Sequence, residues 1–168
     1  IGGKKMIKVG FKRLTDDAVL PVKAHETDSG FDLFANEAIV IEPGQMAVIK
    51  TGIAVKLPPG YEAQVRPRSG VTSKTKLRVQ LGTIDNDYTG EIGIIVDNVE
   101  WVTPIGCRNI DGSLAEGSNR YQYGSYYIKR GDKLAQLVIA PIPTVEAYEF
   151  TEEVETVRGG NGFGSTGY

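Results

Sequence analysis

Leu77–Val96 reads LRVQLGTIDNDYTGEIGIIV, and how these residues are read decides what fold the chain can adopt. Leu77–Leu81 and Ile92–Val96 are short apolar or alternating runs separated by the polar, glycine-bearing segment Gly82–Glu91. Runs of about four to eight such residues, bounded by Gly, Asn and Asp, read as strands. The stretch therefore predicts a hairpin with an unusually polar tip. The same pattern repeats outward. Met6–Leu14, Phe31–Phe34, Ala38–Ile41, Met46–Val55 and Tyr61–Val65 precede it, and Tyr126–Lys129 and Leu134–Ile142 follow it. No long helical period occurs, and the one helical candidate is a single turn near Ser69–Lys76. Strands this short and regularly punctuated predict an all-β fold, a jelly roll or distorted β-barrel. Asp97–Gly124 is the least strand-like stretch and reads as a long loop or a small inserted hairpin.

The 168 residues fit one domain over 6–168, large enough to bury roughly two-thirds of its unfolded surface. Ile1–Lys5 read as residues added ahead of a native start at Met6. A net charge of −2 gives no global basic field for nucleic acid or a membrane surface. No run is long enough to cross a membrane and no signal peptide is visible. Cys107 is the only cysteine, so no internal disulfide can form, which suits a reducing cytoplasm. His25 is the only histidine, which argues against a zinc centre or a His-based nucleophile system.

Several segments carry chemistry. In the hairpin tip, Asp85 can act as a turn former or as a carboxylate that orients a water, with Tyr88 as a flat platform beside it. In Val65-Arg66-Pro67-Arg68-Ser69-Gly70, Ser69 reads as a helix N-cap. A helix start flanked by Arg68 and Gly70 also suits an anion. The following SGVTSKT (69–75) lacks the glycine spacing of a Walker A loop. Thr27–Leu33 places Asp28 and Asp32 around Gly30, either as surface turn formers or as carboxylates for a hydrated magnesium. Gln136 sits in an apolar run, Leu134–Ile142, where a buried amide needs partners. Arg130-Gly131-Asp132 spells an adhesion tripeptide, here a chance match. The C-terminal RGGNGFGSTGY (158–168) buries little and loses much entropy on ordering. As an arm closing over an anion it offers Arg158, the hydroxyls of Ser165 and Thr166, and the ring of Phe163.

Taken in order, DSGFDL (28–33), RPRSG (66–70), GTIDNDYTGEI (82–92), RGDKLAQL (130–137) and RGGNGFGSTG (158–167) resemble the five motifs of the trimeric deoxyuridine triphosphatases, the dUTPases. With the long Asp97–Gly124 stretch the chain is similar to the temperate-phage form of that family. The resemblance implies a jelly-roll subunit in a three-fold homotrimer, each active site drawing motifs from all three chains and the C-terminal arm reaching onto a neighbour. It implies Mg2+-assisted hydrolysis of dUTP to dUMP and pyrophosphate. By the motif match Asp85 activates the attacking water and Asp32 meets magnesium through its water shell. Arg68, Ser69, Gly70 and Gln136 hold the phosphates. Main-chain groups around Val79 to Ile84, Gly82 and Ile84 among them, read the uracil, and Tyr88 lies under the deoxyribose. Arg158, Gly164, Ser165 and Thr166 close on the γ-phosphate, with Phe163 over the base.

Two departures from the family pattern stand out. Val79-Gln80-Leu81 replaces an asparagine that reads the base in some members, and Lys133 replaces the usual arginine of the fourth motif. The related dCTP deaminases carry a glutamate in the strand after the hairpin, where this chain has Ile95, and that disfavours deamination. The 97–124 insert, with Trp101 and the Tyr121, Tyr123, Tyr126 and Tyr127 group, offers a docking surface for a protein partner or packs over its own barrel.

Overall fold

The computed structural model describes residues 6–101, 103–156 and 159. The strands are β1 (Gly10–Arg13), β2 (Gly30–Phe34), β3 (Ile39–Ile41), β4 (Met46–Lys50), β5 (Ile53–Lys56), β6 (Tyr61–Pro67), β7 (Leu77–Val79), β8 (Gly82–Ile84), β9 (Gly93–Asn98), β10 (Arg108–Asn109), β11 (Tyr126–Ile128) and β12 (Lys133–Pro141). One short helix, α1 (Ser69–Lys74), and a 3-10 turn at Ser118–Arg120 interrupt them. The strands form four small sheets, ordered β1-β5, β10-β11-β3, β2-β12-β6-β8 and β4-β9-β7. This is the all-β jelly roll that the punctuation predicted.

Packing decides where such short strands lie. Leu33, Ile49, Leu77, Ile94 and Leu137 are fully buried in one apolar cluster. Each buried side chain of this size contributes about 1.5–3 kcal/mol. That exceeds the whole ~1 kcal/mol span of strand propensity.

The predicted hairpin is only half of what forms. β7 and β9 pair antiparallel, with Leu77 opposite Asn98 and Val79 opposite Val96. The chain then leaves that sheet after Val79, and β8 pairs with β6 instead, Gly82 opposite Val65 and Ile84 opposite Ala63. The predicted strand Met46–Val55 is likewise two strands, because β4 pairs with β9 and β5 with β1. Gly52 makes this corner at φ +67°, where its N–H donates to Glu91 Oε1 at 2.7 Å. Beside it the buried Thr51 Oγ1 donates to the Ile92 carbonyl at 2.6 Å.

The 97–124 stretch is folded against the body. Cys107 and Ala115 are buried, and β10 pairs parallel with β11. Asn98 Nδ2 donates to the Ile41 and Gly124 carbonyls at 2.9 and 3.0 Å. Arg108 pairs with Glu100 and lies 4.6 Å over the Tyr126 ring. Burial pushes the Tyr126 phenol up from its ordinary value and the Cys107 thiol likewise. The four tyrosines do not form one surface cluster. Tyr126 is core, Tyr121 stacks on Tyr127, and Tyr123 is exposed. Asp132, of the Arg-Gly-Asp turn, accepts the Lys129 N–H at 2.8 Å, so its carboxylate serves its own loop. No helix among the described residues is long and apolar enough to cross a membrane.

A methyl group at Gly52 would lie 2.7 Å from both Ala18 Cβ and Asn36 Nδ2 and force a left-handed conformation on a residue with a side chain. Gly52→Ala is expected to lower unfolding stability by about 2–4 kcal/mol, read as a shift of the urea midpoint at constant m-value.

Candidate active site

The sheet β2-β12-β6 builds the first half of the site by register. Gln136 of β12 stands opposite Asp32 of β2 on one side and Arg66 of β6 on the other. Residues directly opposite across a ladder share a face. Their neighbours Leu33, Leu137 and Val65 are buried in the core, so Asp32, Gln136 and Arg66 project from the opposite face. β6 ends at Pro67 and the chain turns into α1, which brings Arg68, Ser69 and Gly70 to the same place. A cavity of about 480 Å³ opens there, bordered by Asp32, Arg68, Ser69, Gly70, Lys133 and Gln136.

The polar groups are interlocked. Asp32 Oδ1 meets Arg68 Nε at 3.0 Å and Oδ2 meets Lys133 Nζ at 3.0 Å, with the carboxylate side chain only 13% exposed. Arg68 also donates to the Lys133 carbonyl at 2.9 Å. Lys133 thus keeps an ion pair despite lacking a guanidinium. The Gln136 amide finds its partner in the Pro67 carbonyl at 3.0 Å. At the cavity edge, the His25 N–H donating to Asp28 holds that exposed carboxyl below its usual value. The N-cap of α1 is Arg68, with no side-chain capping bond, and Ser69 is the first helical residue, not the predicted cap. The hydroxyl of Ser69 is exposed at the cavity, and its N–H and that of Gly70 have no carbonyl to meet within the helix.

The second half lies across β6, at β8. A smaller cavity of about 220 Å³ is bordered by Gly82, Ile84, Asp85, Tyr88 and Ile95, with Val65 at its base. Asp85 is the first residue past β8, and the Tyr88 N–H donates to its carbonyl at 3.1 Å to close the turn. The Tyr88 phenol donates to the Glu91 carbonyl at 2.9 Å. Its ring folds over Gly90 so closely that a Cβ there would sit 2.5 Å from the phenol oxygen. That contact explains the glycine of Tyr-Thr-Gly-Glu. Glu91 in turn accepts the Gly52 N–H, which ties the end of the loop to the β4–β5 corner.

The two cavities share no lining residue. Val65 borders one and Arg66 the other, and successive strand residues point to opposite faces. Asp32, Arg68, Ser69, Gly70 and Gln136 are therefore gathered in one place, and Gly82, Ile84, Asp85 and Tyr88 in a second. Arg158, Phe163, Gly164, Ser165 and Thr166 lie outside the described residues. Gln80 is engaged elsewhere, donating to Asp97. Asp97 and Glu100, the acids that follow the deaminase position Ile95 in the chain, are paired with Gln80 and Arg108 and do not border the second cavity. Sequence reasoning missed Glu91 and Asn86 as builders of this loop. The only available signal was an amide between two acids and a glutamate before an apolar strand.

No cluster of three or more His, Cys, Asp or Glu side chains suited to a metal occurs among the described residues. Asp32 is committed to two cations. That donor set does not fit a metal held directly by the protein. It fits a hydrated divalent cation that is carried by phosphate oxygens and meets Asp32 through water.

With this geometry, comparison with known proteins is specific. The dUTPase family model matches residues 16–103. The deoxyuridine 5'-triphosphate nucleotidohydrolase of Gloeothece citriformis is 41% identical over 163 residues, covering 96% of this chain and 97% of that one. The protein of the same name from Clostridium novyi is 40% identical, covering 96% and 99%. The solved structure of Staphylococcus bacteriophage 80alpha dUTPase with dUpNHpp superposes with a TM-score of 0.88 at 41% identity, covering 96% and 99% of the two chains. The dUTPase of S. aureus phage phi11, described for its species-specific insert, gives 0.80 at 42% identity, covering 87% and 97%. The chain belongs to the dUTPase family.

Proposed function

We infer that this chain hydrolyses dUTP to dUMP and pyrophosphate, keeping uracil out of DNA and supplying dUMP. The observation that carries the reading is the pair of cavities, one built from the first, second and fourth motifs with Arg66, Arg68 and Lys133 at its wall, the other a shaped slot ending at Asp85. In the proposed chemistry the Asp85 carboxylate takes a proton from a water as its oxygen attacks the α-phosphorus. The bond from that phosphorus to the bridging oxygen breaks, and pyrophosphate leaves with the electron pair. Arg68, the Ser69 hydroxyl, the Gly70 N–H and the Gln136 amide fix the triphosphate, so positioning and charge neutralisation supply most of the rate. Asp32 would hold Mg2+ through the ion's water shell, and the ion would supply neutralisation of charge on the phosphates. A phage phi11 dUTPase structure is described as revealing the coordination of a structural Mg(II) ion. The uracil edge is read by main-chain groups of Gly82–Ile84, where a fixed carbonyl accepts N3–H and repels the acceptor that cytosine has there. Arg158, Gly164, Ser165 and Thr166 close on the γ-phosphate and Phe163 covers the base. The reaction takes place in the cytoplasm, the bacterial host's if the chain is phage-encoded.

One nucleotide cannot fill two cavities on opposite faces of a sheet, so a neighbouring copy must complete each site. That supports the homotrimer. Met46, Val48 and Ile95 are exposed on the outer face of β4-β9, with Val48 directly opposite Ile95. Such an apolar sheet face beside the second cavity suits burial against another subunit. Docking of another protein on the insert has the exposure of Trp101 and Tyr123 in its favour. The buried Cys107, Ala115 and Asn98 give the insert a structural task of its own, and we assign it that task.

Asp85→Asn is expected to bind dUTP normally and lose turnover by about three orders of magnitude; pyrophosphate release within tenfold of wild type refutes the base assignment. Tyr88→Ala should narrow the preference for dUTP over UTP, read as the ratio of kcat/KM values, because the ring then no longer excludes a 2′-hydroxyl. Val48→Arg should yield a folded monomer by light scattering that has lost activity, and a fully active trimer would remove this face from the assembly.

A further inference from the structure

The turn that carries Asp85 is exposed throughout. Asp85, Asn86, Asp87 and Tyr88 all lie on the surface, and a single backbone bond closes the turn. Before Asp85 the chain is fixed by the β8–β6 ladder and by Ile84, which is buried. After it, the first side chain to hold the turn is that of Asn86, with Tyr88 and Glu91 securing the loop further on. Asn86 Nδ2 donates to the Pro58 carbonyl at 2.6 Å and lies 3.3 Å from the Tyr61 carbonyl and 3.4 Å from that of Leu57. One amide thus faces two carbonyls of the β5–β6 connection and the first carbonyl of β6.

That connection is a stiff anchor. Leu57 is buried, Pro58 and Pro59 have φ fixed by their rings, and the Gly60 carbonyl accepts the Ile142 N–H at 2.8 Å. The residue type matters as much as the distance. An amide nitrogen brings two donors to this ring of acceptors, whereas the flanking carboxylates of Asp85 and Asp87 can only accept and would be repelled by it. Of Asp85-Asn86-Asp87, only the middle residue can dock.

We propose that Asn86 is a positioning residue for Asp85: its amide bolts the catalytic turn to the Leu57–Tyr61 backbone and holds the carboxylate aimed at the attacking water. This rests on the reading of Asp85 as the base. A misplacement of about 1 Å in such a group costs about a hundredfold in rate. The uracil slot, formed by β8 through its ladder with β6, does not depend on Asn86.

Asn86→Ala, Asn86→Asp and Asp85→Asn test this, with kcat, KM, affinity for the slowly hydrolysed α,β-imido-dUTP, and thermal midpoint measured for each. Asn86→Ala should lower kcat by about ten- to a hundredfold while KM and analogue affinity stay within about twofold. Asn86→Asp, nearly isosteric but with acceptors facing acceptors, should be slower still. The midpoints should remain within about 4 °C of wild type. The proposal is overturned if Asn86→Ala turns over at the wild-type rate, if kcat and analogue affinity fall together, or if the aspartate variant outperforms alanine. An active Asp85→Asn enzyme would instead bring down the reading beneath it, whatever Asn86 does.

Discussion

Strand β6 is the constraint on which the site depends. It is hydrogen-bonded on one side to β12 and on the other to β8, so its position is fixed along its length. A strand alternates faces with a period of two, and that alternation sends Val65 toward the slot at Asp85 and Arg66 toward the cavity at Asp32. A slip of one residue would exchange the faces and dismantle both. The ladder therefore does more than stabilise the subunit: it separates the cavity that ends at Asp85 from the cavity lined by Asp32, Arg68, Ser69 and Gln136.

Charge is handled in a similarly economical way on the first face. Asp32 is nearly buried, and each of its oxygens is met by a cation, Arg68 on one side and Lys133 on the other. An unpaired carboxylate at that depth would carry a heavy desolvation cost. Lysine at 133 keeps the pair as a compact point charge, so loss of the bidentate fork changes geometry more than charge balance. On the second face the devices are hydrogen bonds to backbone: Glu91 to the Gly52 N–H, Tyr88 to the Glu91 carbonyl and Asn86 to the Pro58 carbonyl. The first and last tie the exposed Asp85 loop to other parts of the fold, and the second closes the loop on itself.

Much of this was legible in the sequence. The all-β class followed from punctuation by Gly, Pro, Asn and Asp, and most strand positions followed from alternation. By the motif match Arg68, Ser69, Gly70 and Gln136 were read as phosphate-binding and Asp32 as the magnesium residue, and all five border one cavity. Where the reading went astray, the chain changes sheets. Met46–Val55 looks continuous, yet it splits because its two halves pair with different partners, and Gly82–Ile84, read as the start of the hairpin tip, leaves the sheet of β7 to pair with β6. Periodicity records which side of a residue is buried, and it carries no record of which neighbour it bonds. Ser69 had the composition of an N-cap, but β6 runs on to Pro67 and places Arg68 at that position.

The sequence by itself determined the fold class, the family and the residue types that border the two cavities, because these depend on local pattern and on chemical identity at fixed spacing. Tertiary structure alone decided that the two groups of residues face opposite ways, that Lys133 and Arg68 share one carboxylate, and that Asn86 reaches three carbonyls lying 25 to 29 residues away in the chain. Those outcomes depend on strand register and loop closure, which are set by long-range packing that no short stretch of residues encodes.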